Sequence, residues 1–332
     1  MEGIFIVLII VILLAWLFDY TNGLNDAANA IATVVSTRVL RPLSAVALAA
    51  LFNFLGAFIS IEVATTVGKG IVDPKAIDIY TIFAGLVGAI SWNLFATYLG
   101  MPISASHSLI GGIVGASISH ASFNIVNLKG LISKVMIPSI ISPLVGILAA
   151  ILFFIISYSI ASFLRAHMVN RIFSFLQLVS ASYMALSHGA NDAQKTMGVI
   201  AMALVTSGVL SSFEVPFWVK FSAAFFISLG TLMGGWKVIK TLGMRLTKLR
   251  PIDGFSAETA AATTIITASF LGMPISTTYV ITSSVMGVGM SKKINAVKWS
   301  LFSTIIIAWL FTIPGSALVA FLTYKVLSLL FK

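Results

Sequence analysis

Residues 188–198 read HGANDAQKTMG, between two strongly apolar runs. His188, Asn191, Asp192, Gln194 and Lys195 thus crowd into a segment where hydrocarbon is expected. A polar side chain at membrane depth costs on the order of a few kcal/mol unless something satisfies it. The same device stands near the start of the chain, where 22–30 read NGLNDAANA after an apolar run over 3–18. A costly polar motif placed twice in apolar segments marks a site.

Composition supports the membrane premise. Of 332 residues, 59% are hydrophobic and 9% charged, with a mean hydropathy of +1.06; soluble domains carry about 25% charged residues. Runs 135–164 and 297–331 exceed the ~20 residues that span a bilayer as helix, and the weak alternation of an outer-membrane barrel is missing. The chain reads as an all-α integral membrane protein. Residues 3–18 lack the basic flank and cleavage site of a signal peptide, so the first helix is expected to stay. With no cysteine, thiol catalysis and Cys-ligated metal are excluded. The net charge of +10 fits basic residues gathered in cytoplasmic loops rather than nucleic-acid binding. The longest polar loop is expected at about 236–254, too short for a soluble domain.

The two polar motifs lie 166 residues apart. LGMPISASHS at 99–108 and LGMPISTTYV at 271–280 form a second pair, 172 apart and in the same order. Paired motifs in register imply a tandem duplication, with halves 1–166 and 167–332. Half one divides into 3–35, 43–67, a two-armed unit over 78–119, and 135–164. Half two divides into 172–207, 217–235, 257–290 and 297–331. If each two-armed unit is a re-entrant helical hairpin, each half crosses three times and the second is inverted. With the N-terminus outside, the inside loops hold twelve basic residues (among them Arg38, Arg165, Lys240, Arg245 and Lys292), against Lys69, Lys75, Lys129 and Lys134 outside, with Lys220 near a boundary.

Inverted repeats with broken helices are a transporter architecture, with the site near the midplane. Asn22-Gly23 and His188-Gly189 are weak helix formers, so both motif helices are expected to unwind there. Carbonyls at Gly23 and Gly189, carboxylates of Asp26 and Asp192, and amides of Asn25 and Asn191 then give an all-oxygen set for a small hard cation. Glu62 and Glu258 are further candidate ligands or proton carriers. Each Met-Pro-Ile-Ser unit places hydroxyls at a helix start after Pro102 or Pro274: Ser104, Ser106 and Ser108; Ser276, Thr277 and Thr278. Free N–H groups with hydroxyls suit an anion, and the two starts are expected to face each other. His188 and His107 adjoin the motifs as possible anion donors. Lys195 replaces Asn29, so the site is not charge-symmetric. Gly111/Gly115 and Gly230/Gly234 read as close helix-packing positions.

These doubled motifs, G-x-N-D-x-x-(N/K) followed by P-I-S-(A/T)-(S/T), resemble the inorganic phosphate transporter (PiT) family over nearly the whole chain. The resemblance implies import of inorganic phosphate coupled to sodium, or to protons in some members. It also implies a homodimer in the cell (inner) membrane, with no enzyme activity and no cofactor. Ser104, Ser106, Ser276, Thr277, Thr278, Gln194 and His188 are then expected on phosphate. Asn25, Asp26, Asn191, Asp192, Gly23, Gly189, Glu62 and Glu258 are expected on sodium. Two positions depart from the family pattern: an acidic one is apolar near Ile82, and a His is Tyr279. Sulfate is the rival substrate; Asp26, Asp192 and Glu258, as acceptors, favour protonated phosphate. A cation channel leaves the anion-suited helix starts unexplained, and an intramembrane aspartyl protease leaves the Met-Pro-Ile-Ser pair unexplained.

Overall fold

The computed structural model describes residues 2–330, apart from the side chains of Glu2, Met244 and Arg245. The described residues are helices and connections, with one isolated β-bridge, Val72 to Val126. In the first half, α1 spans Glu2–Ser36, α2 Pro42–Gly56, α3 Glu62–Thr65, α4 Ile79–Leu99, α5 Ala105–His120, α6 Leu128–Leu131 and α7 Ile137–Ala161. In the second, α8 spans Ala166–Thr206, α9 Phe217–Met233, α10 Trp236–Lys240, α11 Pro251–Phe270, α12 Thr277–Lys292 and α13 Trp299–Leu330. Among the described residues, four segments are each long and apolar enough to cross a membrane: Gly3–Ser36, Ile79–Leu99, Leu128–Ala161 and Trp299–Leu330.

Packing repeats when the halves are exchanged. Helix α1 lies on α9 and α8 on α2; α1 lies on α4 and α8 on α11; α5 meets α13 and α12 meets α7. The outer faces of α7 and α13 expose large apolar side chains such as Leu144, Leu148, Leu310 and Leu318, which suit lipid.

Both motif helices run unbroken through Asn22-Gly23 and His188-Gly189, which corrects the expected unwinding. Low helix propensity is a weak prior that tertiary packing overrides. These glycines serve close approach instead. A Cβ added at Gly23 would lie 2.1 Å from the Ile227 carbonyl oxygen, and one at Gly189 2.1 Å from that of Asn53. Gly56 and Gly230 answer from the other side, against the Leu186 and Tyr20 carbonyls. No flexible side chain yields at these contacts. Gly189→Ala is therefore expected to abolish recovery of monodisperse protein on size-exclusion chromatography, whereas Gly208→Ala, in open space at φ 76°, costs local strain only.

The breaks occur elsewhere. The segment expected as one helix over 43–67 stops at Gly56 and restarts at Glu62. Its counterpart bends by 63° between α9 and the Trp236–Gly243 segment. Each restart ends in a π-helical turn, Thr66–Gly70 and Thr241–Arg245. The expected polar loop at 236–254 is thus mostly helical, with Val238, Ile239 and Leu242 buried.

The two-armed units are helical hairpins, α4 with α5 and α11 with α12. Gly100 (φ 70°) and Gly272 (φ 65°) take the left-handed conformation at the elbows, which glycine adopts without a Cβ penalty. Each elbow is held by an equivalent hydroxyl: Thr241 donates to the Gly100 carbonyl (3.0 Å), and Thr66 to that of Gly272 (2.7 Å). Gly111 and Gly115 pack against α13, as their spacing predicts.

Candidate functional site

Helices α1 and α8 bring Asp26, His188 and Asp192 together, with one ligand atom from each within 4.8 Å of the others. His188 Nε2 lies 3.8 Å from Asp26 Oδ2 and 3.6 Å from Asp192 Oδ2. Its Nδ1 is 3.0 Å from Asn53 Oδ1, and Asn53 in turn donates to Thr231 (2.8 Å), which fixes the ring. Asn22 donates to Asp192 Oδ2 at 3.4 Å. All these side chains are buried to 2% exposure or less.

Positions 22, 25, 26 and 29 share one face of α1 by helical spacing. The carbonyl oxygens of Asn22, Asn25 and Asn29 are buried without a hydrogen-bond donor, as is that of Asn191 on α8. Their amide nitrogens are used: Asn25 donates to Thr97 (2.7 Å) and Asn191 to Ser269 (2.9 Å), equivalent contacts in the two halves. Buried acceptors beside two carboxylates form an oxygen-rich setting that a hard cation fits.

The two hairpins deliver their second arms to this cluster. Ser104 and Ser276 are the N-caps of α5 and α12, accepting from the His107 and Tyr279 N–H groups at 3.1 and 3.2 Å. The N–H groups of Ala105, Ser106, Thr277 and Thr278 follow at the first two helical positions and have no intrahelical acceptor. Thr277 and Thr278 donate to Asp26 at 3.4 and 3.2 Å, and both accept from Asn29. On the other side, Ser106 donates to the Ile275 carbonyl (3.0 Å) and accepts from the Lys195 ammonium, which also lies 2.6 Å from Asp192 Oδ1. The two helix starts therefore meet. His107 and Tyr279, at equivalent positions, touch edge to face at 4.9 Å.

Several expected ligands stand apart. Glu62 is exposed at the start of α3, where its backbone N–H donates to the Ser60 hydroxyl at 3.2 Å. Gln194 caps that helix: its oxygen accepts from the Val63 and Ala64 N–H groups, and its nitrogen donates to the Ala190 carbonyl. The Gly23 and Gly189 carbonyls remain within continuous helix. Glu258 is buried but separate, accepting from Thr33, Ser180 and Gln177; Thr33 is seven residues past Asp26, roughly 10 Å along α1. His107 turns toward Ser139 on α7.

One residue escapes the motif reading. Asp19 is fully buried, neither carboxylate oxygen has a hydrogen bond, and it faces Thr196 with Asp192 and Lys195 in electrostatic range. Its signal in the sequence is an acidic residue at the edge of the apolar run, one turn before Asn22.

A family model described as the phosphate transporter family matches residues 22–320. A Rhizobium meliloti (strain 1021) protein named "Probable low-affinity inorganic phosphate transporter" is 47% identical over 325 residues, covering 96% of each chain. A Bacillus subtilis (strain 168) protein of the same name is 41% identical over 334 residues, covering 100% of both. A solved structure described as "The sodium-dependent phosphate transporter" superposes with a TM-score of 0.88 at 28% identity, covering 97% of this chain and 99% of that one.

Proposed function

Because this chain belongs to the phosphate transporter family, we propose that it is a secondary active transporter that imports inorganic phosphate with sodium, using the Asp26–Asp192 cluster for the cation and the starts of α5 and α12 for the anion. One observation carries the coupling: the Thr277 and Thr278 hydroxyls at the α12 start lie directly on the Asp26 carboxylate. An anion approaching those hydroxyls meets a negative charge. Two unit charges ~5 Å apart repel by about 3 kcal/mol at an effective dielectric of about 20. A cation bound at Asp26 turns that repulsion into attraction, so cation and phosphate enter together. The name of the sodium-dependent structural relative supports sodium as that ion.

Uptake into liposomes tests the reading. Labelled phosphate is expected to accumulate with an inward sodium gradient and not with an equal potassium gradient. Accumulation driven by a proton gradient alone would replace sodium, and inhibition by equimolar sulfate would replace phosphate selectivity.

The site is buried on all sides, so transport requires openings toward each face. The latches Thr66–Gly272 and Thr241–Gly100 are suited to be those gates. They also fit an inverted second half, because Lys134 reaches the Leu271 carbonyl and Lys237 that of Tyr98, and the charge count assigns those lysines to opposite faces. The charge asymmetry supports an N-terminus outside, and the family resemblance supports the cell membrane. A single cysteine at Lys75 or Lys129 is expected to react with an impermeant maleimide on intact cells, and one at Lys240 only after permeabilisation; the reverse pattern would invert the assignment. The family resemblance supports a homodimer.

A further inference from the structure

Residues 29 and 195 are equivalent across the 166-residue offset, but one is asparagine and the other lysine. Their neighbours otherwise correspond: Asp26 matches Asp192, and Thr278 matches Ser106. On the first side the Asn29 amide contacts Thr277 and Thr278 at 3.2 and 3.0 Å. On the second, the Lys195 ammonium lies on three oxygens: Asp192 Oδ1 at 2.6 Å, the Ser106 hydroxyl, and the Ile275 carbonyl at 3.3 Å. A carboxylate, a hydroxyl and a carbonyl are the donors an alkali cation takes.

The unsatisfied oxygens are distributed accordingly. On the α1 face, the carbonyl oxygens of Asn22, Asn25 and Asn29 have no donor; among the α8 motif residues described, the Asn191 carbonyl and the Thr196 hydroxyl are without a partner. Charge points the same way. The Lys195 ammonium is paired with Asp192 Oδ1, and Asp192 presents its other oxygen, Oδ2, toward His188 and the Asp26 side. Asp19 lies in electrostatic range of Asp192 and Lys195 and makes no hydrogen bond to either.

We propose that Lys195 is a tethered cation: its ammonium fills the position of a second coupling ion, leaving one exchangeable cation between Asp26 and Asp192 Oδ2. The inference rests on the cation reading of that cluster above. A tethered charge never leaves its site, so the chain couples one ion fewer to each phosphate than it would with asparagine at 195.

Lys195→Asn restores the residue of the first half. The measurements are sodium bound per protein, by calorimetry on purified material, and the ratio of labelled sodium to labelled phosphate entering liposomes. The variant is expected to bind about one sodium more than the wild type, with a flux ratio higher by about one. A monodisperse variant with an unchanged sodium count overturns the inference, whatever its transport rate. If the variant does not fold, the wild-type count decides. One sodium, lost in Asp26→Asn, upholds the tethered cation; two sodium ions lost together overturn it. A wild type with a sodium signal that Lys195→Asn leaves unaltered defeats this inference alone. No sodium signal in either protein defeats the sodium reading as well.

Discussion

Asp26→Asn is expected to lower sodium-driven phosphate uptake about 100-fold or more while the purified protein keeps its melting temperature; Asp192→Asn loses transport and stability together. The two positions are equivalent in the duplication, and the structure makes them unequal. Asp26 touches only neutral donors, Thr277 and Thr278, with the His188 ring 3.8 Å away. An amide there keeps most of those contacts and removes the charge that holds the cation. Two or three kcal/mol of lost cation binding corresponds to roughly a hundredfold. Asp192 is the buried partner of the Lys195 ammonium. Its replacement leaves that ammonium uncompensated, at a cost of about 3–5 kcal/mol. The double variant Asp192→Asn/Lys195→Met should regain much of the stability and none of the transport. Equal melting temperatures for the two single variants would show that the lysine pair has no structural weight. Retained sodium dependence in Asp26→Asn would move the cation elsewhere.

The second large effect concerns the anion, and it separates neighbouring hydroxyls by what they do. Ser104 and Ser276 accept from backbone N–H groups as caps, while Ser106, Thr277 and Thr278 stand in the first turn with unpaired amides around them. Removing a cap costs about 1 kcal/mol of stability. Removing a hydrogen bond to a charged ligand costs roughly 1.5–3 kcal/mol. The lower end applies, because each first-turn proton must leave Asp26 or the Ile275 carbonyl to reach phosphate. Ser106→Ala and Thr278→Ala should each weaken phosphate binding about tenfold, and the pair about a hundredfold. Ser104→Ala and Ser276→Ala should lower the melting temperature with affinity nearly unchanged. Calorimetry and thermal denaturation on the same samples decide. An unaltered affinity in the Ser106/Thr278 double variant would remove the anion from the helix starts.

The architecture was legible where residue chemistry admits one reading. Apolar length gave the membrane, paired motifs gave the repetition, and Pro102 and Pro274 gave the elbows. Gly23 and Gly189 misled because glycine serves two opposite ends, loosening a helix or letting another helix approach, and the choice lies with a carbonyl far along the chain, Ile227 for Gly23 and Asn53 for Gly189. Gln194 stands among the motif residues expected as ligands; its partners are N–H groups of α3, which has no side-chain cap of its own. Glu62 sits in an apolar stretch of sequence, but the chain breaks before it and carries it to the surface. Asp19 lay outside both motifs, and only its burial beside α8 draws it into the site.

The crosswise pairing of α1 with α9 and α8 with α2 bears on how the protein is made. When residues 1–166 have left the ribosome, the helices that α1 and α2 grip do not yet exist. At synthesis rates of about 5–20 residues per second, that wait lasts on the order of 10–30 s. Throughout it, Asp19, Asn22, Asn25 and Asp26 sit in a segment destined for lipid with none of their α8 neighbours. A nascent first half must therefore linger near the translocon's aqueous channel or be shielded by a membrane chaperone. A gene cut between the halves would yield two unstable polypeptides that rescue each other only when produced in the same cell.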